Sequence, residues 1–577
     1  MTADHTQDKT SDRAEFPTGG PSLHPSHILT VNVEDYYQVA AFQHLITRDQ
    51  WYRFETRLHK NTEASLDLLS ELNAKGTFFV LGWIAEKWPD LIRSIADAGH
   101  EVASRGFYHR ELETLTREQF REDLIQSRDA IEAATGRKAL GYRLSANWLK
   151  ENQMWMLDVL KQEGHEYDSS ILPRFRQFCS ADNSSIAVEE TPSGPLWKVP
   201  LSSRRIAGLA VPVAGANYFR QLPSGFIRNS VNNMIDRAER PFVMYFHTWE
   251  LDADQPRINA AGKVARMRHY RNLDRVEPML REFVGGRSFG CVADYLLLDR
   301  TTTVEPRETK SPDQVVLSTC PEEDKTPVSI VVPCYNEEKT IPYLANTLKS
   351  VSETLSASCK PHFLLVDDRS TDATWKVLQE TFFDQTLFSL LRHDENQGVS
   401  AAIMTGIKAA DTEIVCSMDC DCSYDPHELR NMIPLLSEDV DLVTASPYHP
   451  QGRVRNVPSW RLLLSKTLSG MYRLLLGRKL YTWTSCCRVY RKSVVGRMQL
   501  EKTGFLGTAE LVAKLCLSDS KIVEHPATLE VRIFGESKMK TFRTIIGHLR
   551  LLGRVVKMRL RGIPATAEEP IQQSVNY

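Results

Sequence analysis

Apolar residues in this chain gather into short runs, and the runs are separated by stretches with helical spacing. In the C-terminal half the run 328–332 ends in Pro333 and a polar turn, Asn336-Glu337-Glu338, before helical spacing begins at Ile341. A second run, 363–366, ends in Asp367-Asp368-Arg369-Ser370, and a third, 413–418, ends in Asp419-Cys420-Asp421. Unbroken apolar runs joined by helical stretches predict strand, crossover, strand: a mostly parallel α/β sheet. The N-terminal half repeats the cycle. Strands are expected at 27–31, 77–81, 101–103, 140–144 and 167–168, with helices over 61–74, 88–97, 116–134 and 152–163 between them. Units of this length suggest an α/β barrel or a related open form. Further strands are predicted at 196–200, 242–246 and 289–298, with a helix over 269–284.

The same pattern marks the boundaries. Residues 1–26 are polar and without period, as a disordered tail would be. A first domain covers 27–298, and 299–326 is a charged linker with a short apolar insert at 315–317. A second domain covers 327–540, including a helix at 427–436 and a strand at 441–446, and a basic helix at 541–565 precedes a tail at 566–577. A chain of 577 residues is too long for one core. Apolar content of 42% and charged content of 25% are those of a globular protein. A net charge of −2 supplies no general attraction to nucleic acid. Eleven cysteines show no Cys-x-x-Cys spacing. Cys420 and Cys422 alternate with Asp419 and Asp421, so they read as packing residues on the opposite face. The start is polar, without a signal peptide, and the odd cysteine count suggests a reducing compartment. No apolar run approaches the ~20 residues that span a bilayer.

Charge becomes informative locally. Residues 458–480 and 541–561 carry Arg and Lys beside leucines at helical spacing, with no acid in either stretch. Such helices lie in a membrane interface, or pack their stripe on the domain core or a twin subunit. The strand ends carry the second signal. Acids just past the carboxyl ends of parallel strands stand where such sheets bind ligands. Asp419-x-Asp421 offers the hard oxygens that hold Mg²⁺ or Mn²⁺ against a diphosphate; as a bland alternative, acids also end strands as turn formers.

The stretches VVPCYNEEKTI (331–341), LLVDDRSTDAT (364–374), HDENQGVSAAIMTGIKAA (393–410), VCSMDCDCSYDP (415–426) and RIFGESKM (532–539) resemble family-2 inverting glycosyltransferases. The nearest branch is that of dolichyl-phosphate-mannose synthases and undecaprenyl-phosphate sugar transferases. The resemblance implies a GT-A domain with a Rossmann-like sheet. It places Pro333, Tyr335, Glu337, Asp367 and Asp368 at the nucleotide-sugar donor, Asp419 and Asp421 at metal and diphosphate, and Arg532 and Lys538 near phosphates. Glu510 falls where the family often has an acid near the acceptor. A lipid-phosphate acceptor is already ionised near neutral pH and needs no strong base. Members of this branch often carry further C-terminal spans, and the polar end EEPIQQSVNY predicts none here.

The stretches TVNVEDYY (30–37), GTFFVLG (76–82), HEVASRGFYHREL (100–112), GYRLS (141–145), YDSSILP (167–173) and YFHTWELDADQPR (245–257) resemble polysaccharide deacetylases of the NodB homology type that accompany exopolysaccharide clusters. The resemblance implies a distorted barrel and a metal held by an aspartate and two histidines. This chain departs from it. Asn32 stands where a base Asp belongs, and an amide accepts no proton. Arg105 replaces the first histidine, and its fixed charge repels a cation. Arg143-Leu144-Ser145 replaces Arg-x-Pro. Glu34, Asp35, His109, Arg143, Asp168 and His247 remain as a remnant, with no cofactor expected there. Tyr36, Tyr37, Trp148, Tyr218, Trp249 and Tyr270 either stack sugar rings or fill the core.

The expectation is a metal-dependent inverting glycosyltransferase, cytoplasmic and peripheral on the inner face of the membrane. It would move a sugar from a nucleotide diphosphate to polyprenyl phosphate or a growing glycan, behind an inactive deacetylase-like domain. Two alternatives stay open: a bifunctional enzyme with an active deacetylase, and a non-enzymatic glycan-binding or assembly protein.

Overall fold

The computed structural model describes residues 25–145, 149–172, 185–207, 209–237, 240–304, 321–502, 504–535 and 541–561. It divides into two compact units. The first comprises residues 1–35, 57–253 and 271–309; the second comprises 36–56, 254–270 and 310–577. Two segments from within the expected first domain, Tyr36–Thr56 and Asp254–Tyr270, are thus part of the second unit. No sequence pattern announces this exchange.

The first unit is built on a nine-stranded sheet in which His27–Val33 lies next to one end of the path and also pairs with Phe289–Gly290. His27–Val33 pairs in parallel with Val243–His247 on one side and Thr77–Val80 on the other. The sheet continues in parallel through Glu101–Ser104, Gly141–Tyr142, Tyr167–Asp168 and Gly194–Lys198, and ends in the antiparallel Ala187–Thr191. The path is open: Val243–His247 and Ala187–Thr191 end it without pairing to each other. The helices Leu58–Glu71, Pro89–Asp97, Arg117–Thr135 and Trp155–Gln162 lie close to their expected bounds. Arg117–Thr135 has the cleanest ends. Thr116 accepts from the Gln119 N–H at its start, and Gly136 takes φ 67° at its end, where a side chain would be strained. Two expected elements differ. The helix over 269–284 is broken at Asn272, which takes φ 52°, leaving Lys263–Tyr270 and Val276–Val284. The strand over 289–298 shrinks to Phe289–Gly290, followed by a short helix, Val292–Tyr295. The Val292 and Ala293 N–H groups donate to Thr77 Oγ1 (2.8 Å) and Glu101 Oε2 (3.1 Å), so they cannot serve a strand ladder.

The second unit holds a seven-stranded sheet. In spatial order its strands are Phe388–Arg392, Cys359–Asp367, Thr326–Cys334, Ile414–Ser417, Arg488–Arg491, Leu442–Ser446 and Ile522–Pro526. All pairs are parallel except those of Arg488–Arg491. Val331, Val366, Ala402, Ile407, Val415 and Leu442 meet in its core, which explains the unbroken apolar runs. The expected helix over 427–436 is three short turns, because Pro434 removes a donor within it. The two basic helices form as expected, at Ser459–Leu476 and Thr541–Arg561. The apolar insert at 315–317 lies outside the described residues.

Candidate active site

The chain order in the second sheet fixes where a ligand can sit. From Thr326–Cys334 the chain moves outward through Cys359–Asp367 to Phe388–Arg392, then returns to add Ile414–Ser417 on the opposite side. The carboxyl ends of Thr326–Cys334 and Ile414–Ser417 therefore flank a topological switch point, where the following loops splay apart and leave a crevice. Those loops carry Glu337 and the pair Asp419 and Asp421. Asn336, Arg369 and Cys422, each just past a strand end, have φ of 54°, 57° and 53°. Such backbone strain is characteristic of ligand-binding loops.

Arg532 ties the crevice acids together. Its Nε donates to Asp421 Oδ2 (2.5 Å) and its Nη1 meets Glu337 Oε1 (2.9 Å). Ser423 gives Asp421 Oδ1 two further bonds, from N–H (3.0 Å) and Oγ (2.7 Å). Glu337 is buried and also accepts from Thr340 Oγ1 (2.7 Å). Burial and then the neighbouring Asp421 push the Asp419 carboxyl up to about 7. Asp419 and Asp421 offer two carboxylates, and Arg532 already pairs with one of them. Among the described residues no group of three or more His, Cys, Asp or Glu surrounds a cation position. That donor set fits Mg²⁺ or Mn²⁺, which bind through one or two carboxylates and take remaining ligands from water and phosphate.

Asp367 and Asp368 face inward. Asp367 is fully buried and pairs with Arg392 Nε (3.0 Å). Asp368 accepts from His393 Nδ1 (2.8 Å), Asn396 Nδ2 (3.0 Å) and the N–H groups of Gln397 (2.8 Å) and Gly398 (2.7 Å). It organises the loop entering the helix Val399–Ala409. The signal for those partners is the HDENQG stretch; assigning them needed the fold. Pro333 and Tyr335 are half-buried at the carboxyl end of Thr326–Cys334. Lys538 lies outside the described residues. Glu510, buried on the helix Phe505–Leu517, has both oxygens engaged. Oε1 takes the Glu501 N–H (3.0 Å) and Lys514 Nζ (2.9 Å), and Oε2 takes the Lys502 N–H (2.9 Å). A carboxylate so occupied holds a loop. Cys420 and Cys422 are buried as expected, but the reason differs: the strand ends at Ser417, so alternation does not extend to them. Cys420 Sγ lies 3.6 Å from Cys334 Sγ.

In the first unit three of the remnant residues, Arg105, His109 and His247, gather around Glu34. Arg105 Nη1 donates to Glu34 Oε2 (2.6 Å), and His247 Nδ1 lies 2.6 Å from Oε1. His109 Nε2 is 3.6 Å from Oε2, and Trp249 Nε1 donates to Oε1 (3.4 Å). Burial pushes the Glu34 carboxyl up, but Arg105 and His247 outweigh it and hold it well below the usual range. Burial holds His109 down at about 4, so it is neutral at pH 7. Arg105 Nη2 also donates to the Ser145 carbonyl (2.8 Å). Asn32 Oδ1 accepts from Arg143 Nη1 (3.2 Å), and the Arg143 guanidinium lies 4.1 Å from the Phe79 ring centroid. Asp168, raised by burial to about 6, accepts from Ser170 Oγ (2.5 Å) and N–H (3.0 Å). Asp35 accepts the Arg57 N–H (2.9 Å). Tyr36, Tyr37 and Trp249 are buried, so they are core rather than sugar platforms. Tyr37 stacks on Phe54 at 4.7 Å. Tyr218 and Tyr270 are half-buried, and Trp148 lies outside the described residues.

Residues 329–498 match the family model Glycosyl transferase family 2. Residues 44–163 match Polysaccharide deacetylase, and 169–297 match a domain of unknown function, DUF3473. A dolichol-phosphate mannosyltransferase from Pyrococcus furiosus is 31% identical over 232 residues, 40% of this chain and 64% of that protein. A polyprenol monophosphomannose synthase from Mycolicibacterium smegmatis is 30% identical over 217 residues, 36% of this chain and 80% of that protein. Undecaprenyl-phosphate 4-deoxy-4-formamido-L-arabinose transferases match too, and the chain spans about half their length. A solved glucosyl-3-phosphoglycerate synthase from Mycobacterium tuberculosis, in complex with Mg²⁺ and uridine diphosphate, is 19% identical over 40% of this chain and 80% of its own. Its TM-score is 0.31. A 30% identity that spans four fifths of one relative, laid over a switch-point crevice lined by acids, makes this chain a member of glycosyl transferase family 2, with a deacetylase-like N-terminal half.

Proposed function

We infer that the second unit transfers a sugar from a nucleotide diphosphate to a polyprenyl phosphate, with inversion at the anomeric carbon. The observation that carries this reading is the crevice in which Arg532 joins Asp421 and Glu337 beside Asp419. A divalent cation on Asp419 and Asp421 would supply charge neutralisation of the departing diphosphate. Arg532 and Lys538 are the cationic side chains for phosphate, while Pro333, Tyr335 and Glu337 border the nucleotide. Asp367 and Asp368 hold the loop behind it. Glu510 serves as a positioning residue. Its engaged oxygens favour an acceptor that arrives ionised, as a lipid phosphate does, over a sugar hydroxyl that needs a base. The relatives named above, a dolichol-phosphate, a polyprenol and an undecaprenyl-phosphate sugar transferase, point the same way. The test is a panel of nucleotide sugars with Mn²⁺ and polyprenyl phosphate, read by release of the nucleoside diphosphate.

The acceptor implies a membrane surface. No helix among the described residues is long and apolar enough to cross one. On Ser459–Leu476, however, Trp460, Leu463, Leu464, Met471 and Leu474 form one exposed stripe, with Leu474 87% exposed. On Thr541–Arg561, Leu549, Val556 and Leu560 do the same, with Leu560 81% exposed. The two helices meet where Tyr472 Oη lies 3.1 Å from His548 Nδ1. Leucines in water beside acid-free basic charge fit an anionic interface, each Lys or Arg contributing roughly 1 kcal/mol near the surface. The protein should sediment with vesicles containing anionic lipid and be released at high salt. Leu474→Glu with Leu560→Glu should weaken retention. Equal recovery in the supernatant with and without such vesicles would contradict peripheral binding.

The first unit is read as an inactive deacetylase relative. Asn32 leaves water without a proton acceptor, and Arg105 already supplies the positive charge on Glu34.

A further inference from the structure

We propose that the two segments donated by the deacetylase-like half, Tyr36–Thr56 and Asp254–Tyr270, are positioning elements of the transferase site: they clamp the loop that presents Arg532. The loop 530–535 is held at three points. Gln50 Nε2 donates to Glu530 Oε2 (2.7 Å). The Asn259 N–H donates to the Ile533 carbonyl (2.9 Å), and Asn259 Nδ2 donates to the Gly535 carbonyl (3.0 Å). The Phe534 ring is buried against Phe54 (5.8 Å) and Tyr343 (5.6 Å). Arg532 sits between the first and second of these points. Gly535 takes φ 70°, so the turn that follows Phe534 suits glycine.

The same segments reach the other loop of the crevice. Arg53, nearly fully buried, donates through Nη2 to Asp425 Oδ1 (2.8 Å), four residues past Asp421. The carbonyls of Arg53 and Phe54 accept from Asn346 Nδ2 (3.3 and 3.2 Å), anchoring the segment to the helix Ile341–Leu355. Tyr52 Oη approaches His427 Nδ1 (3.4 Å), which in turn lies 2.9 Å from Asp425. The loops bearing Asp421 and Arg532 are therefore both braced by residues that precede the transferase domain in sequence. An arginine that must meet a diphosphate gains from a fixed backbone, because the ordering is done before the donor arrives. This gives a deacetylase-like half with a blocked site a role in transfer.

The inference rests on the reading of Arg532 as a donor-phosphate ligand. Binding of GDP and of UDP, each with Mn²⁺, is measured by calorimetry on the full chain. The variants are Asn259→Ala with Gln50→Leu, Arg532→Ala, and all three together. Loss of these two part-buried side-chain hydrogen bonds should weaken binding about 10-fold with little change in thermal midpoint. In the Arg532→Ala background the pair should add nothing, because both act through one group. Wild-type affinity in the pair, while Arg532→Ala binds weakly, would overturn the clamp. So would a pair effect that persists undiminished without Arg532. If Arg532→Ala itself binds normally, the donor reading of Arg532 fails and the clamp falls with it.

Discussion

Asp421→Asn should lower sugar transfer by about 10²-fold or more, because it removes a hard anionic ligand from the one acidic pair at the switch point. The substitution is nearly isosteric, and the Ser423 bonds to Oδ1 can persist, so the loop should keep its shape. Two charges change. The cation loses one carboxylate, and Arg532 loses the partner of its Nε. The variant should therefore be slow even in excess Mn²⁺. The wild type should lose activity in EDTA and recover it when Mg²⁺ or Mn²⁺ is restored. Steady-state transfer with and without chelator separates the effects. Near-full activity of Asp421→Asn, or wild-type activity undiminished by EDTA, would remove Asp421 from the metal site.

Arg105→Met should destabilise the protein by about 3–5 kcal/mol at neutral pH, the cost of breaking a buried pair and leaving its carboxylate behind. Arg105 and Glu34 are both buried. Methionine fills most of the volume but leaves Glu34 Oε2 without its 2.6 Å donor and the Ser145 carbonyl without its 2.8 Å donor. The pH dependence has a definite sign. Glu34 has a folded pKa depressed below its unfolded value near 4.5, so its contribution is complete above that value and fades as pH falls. The variant's deficit should thus be largest at pH 7 and shrink below about pH 4. Denaturant midpoints at both values check this. A neutral-pH stability within about 1 kcal/mol of wild type would mean that the other neighbours of Glu34, His247 and Trp249, satisfy it without Arg105.

The transferase core was legible because buried parallel strands need unbroken apolar runs, and the runs at 328–332, 363–366 and 413–418 fall within or close to the observed strands. The acids past those runs were visible for the same reason. Their division of labour was not. Asp368 and Asp421 stand in similar contexts, yet one binds loop N–H groups and the other Arg532, and only tertiary neighbours decide between them. Glu510 shows the converse: an acid near a motif whose oxygens prove to be taken by backbone. Asn259 and Gln50 carry no signal at all, since a single amide looks like any other. Their partners lie some 276 and 480 residues away in the chain. Asn32 and Arg105 were readable as departures, but that Arg105 forms a buried ion pair with Glu34 required coordinates.

The most direct test of the central claim is transfer to lipid. Full-length protein, vesicles containing polyprenyl phosphate, Mn²⁺ and a panel of radiolabelled nucleotide sugars are incubated together, and the organic extract is counted. For one donor, label should enter the extract in step with release of the nucleoside diphosphate, and both should depend on the lipid phosphate. Label that stays in water for every donor, with diphosphate release indifferent to the lipid, would contradict the account.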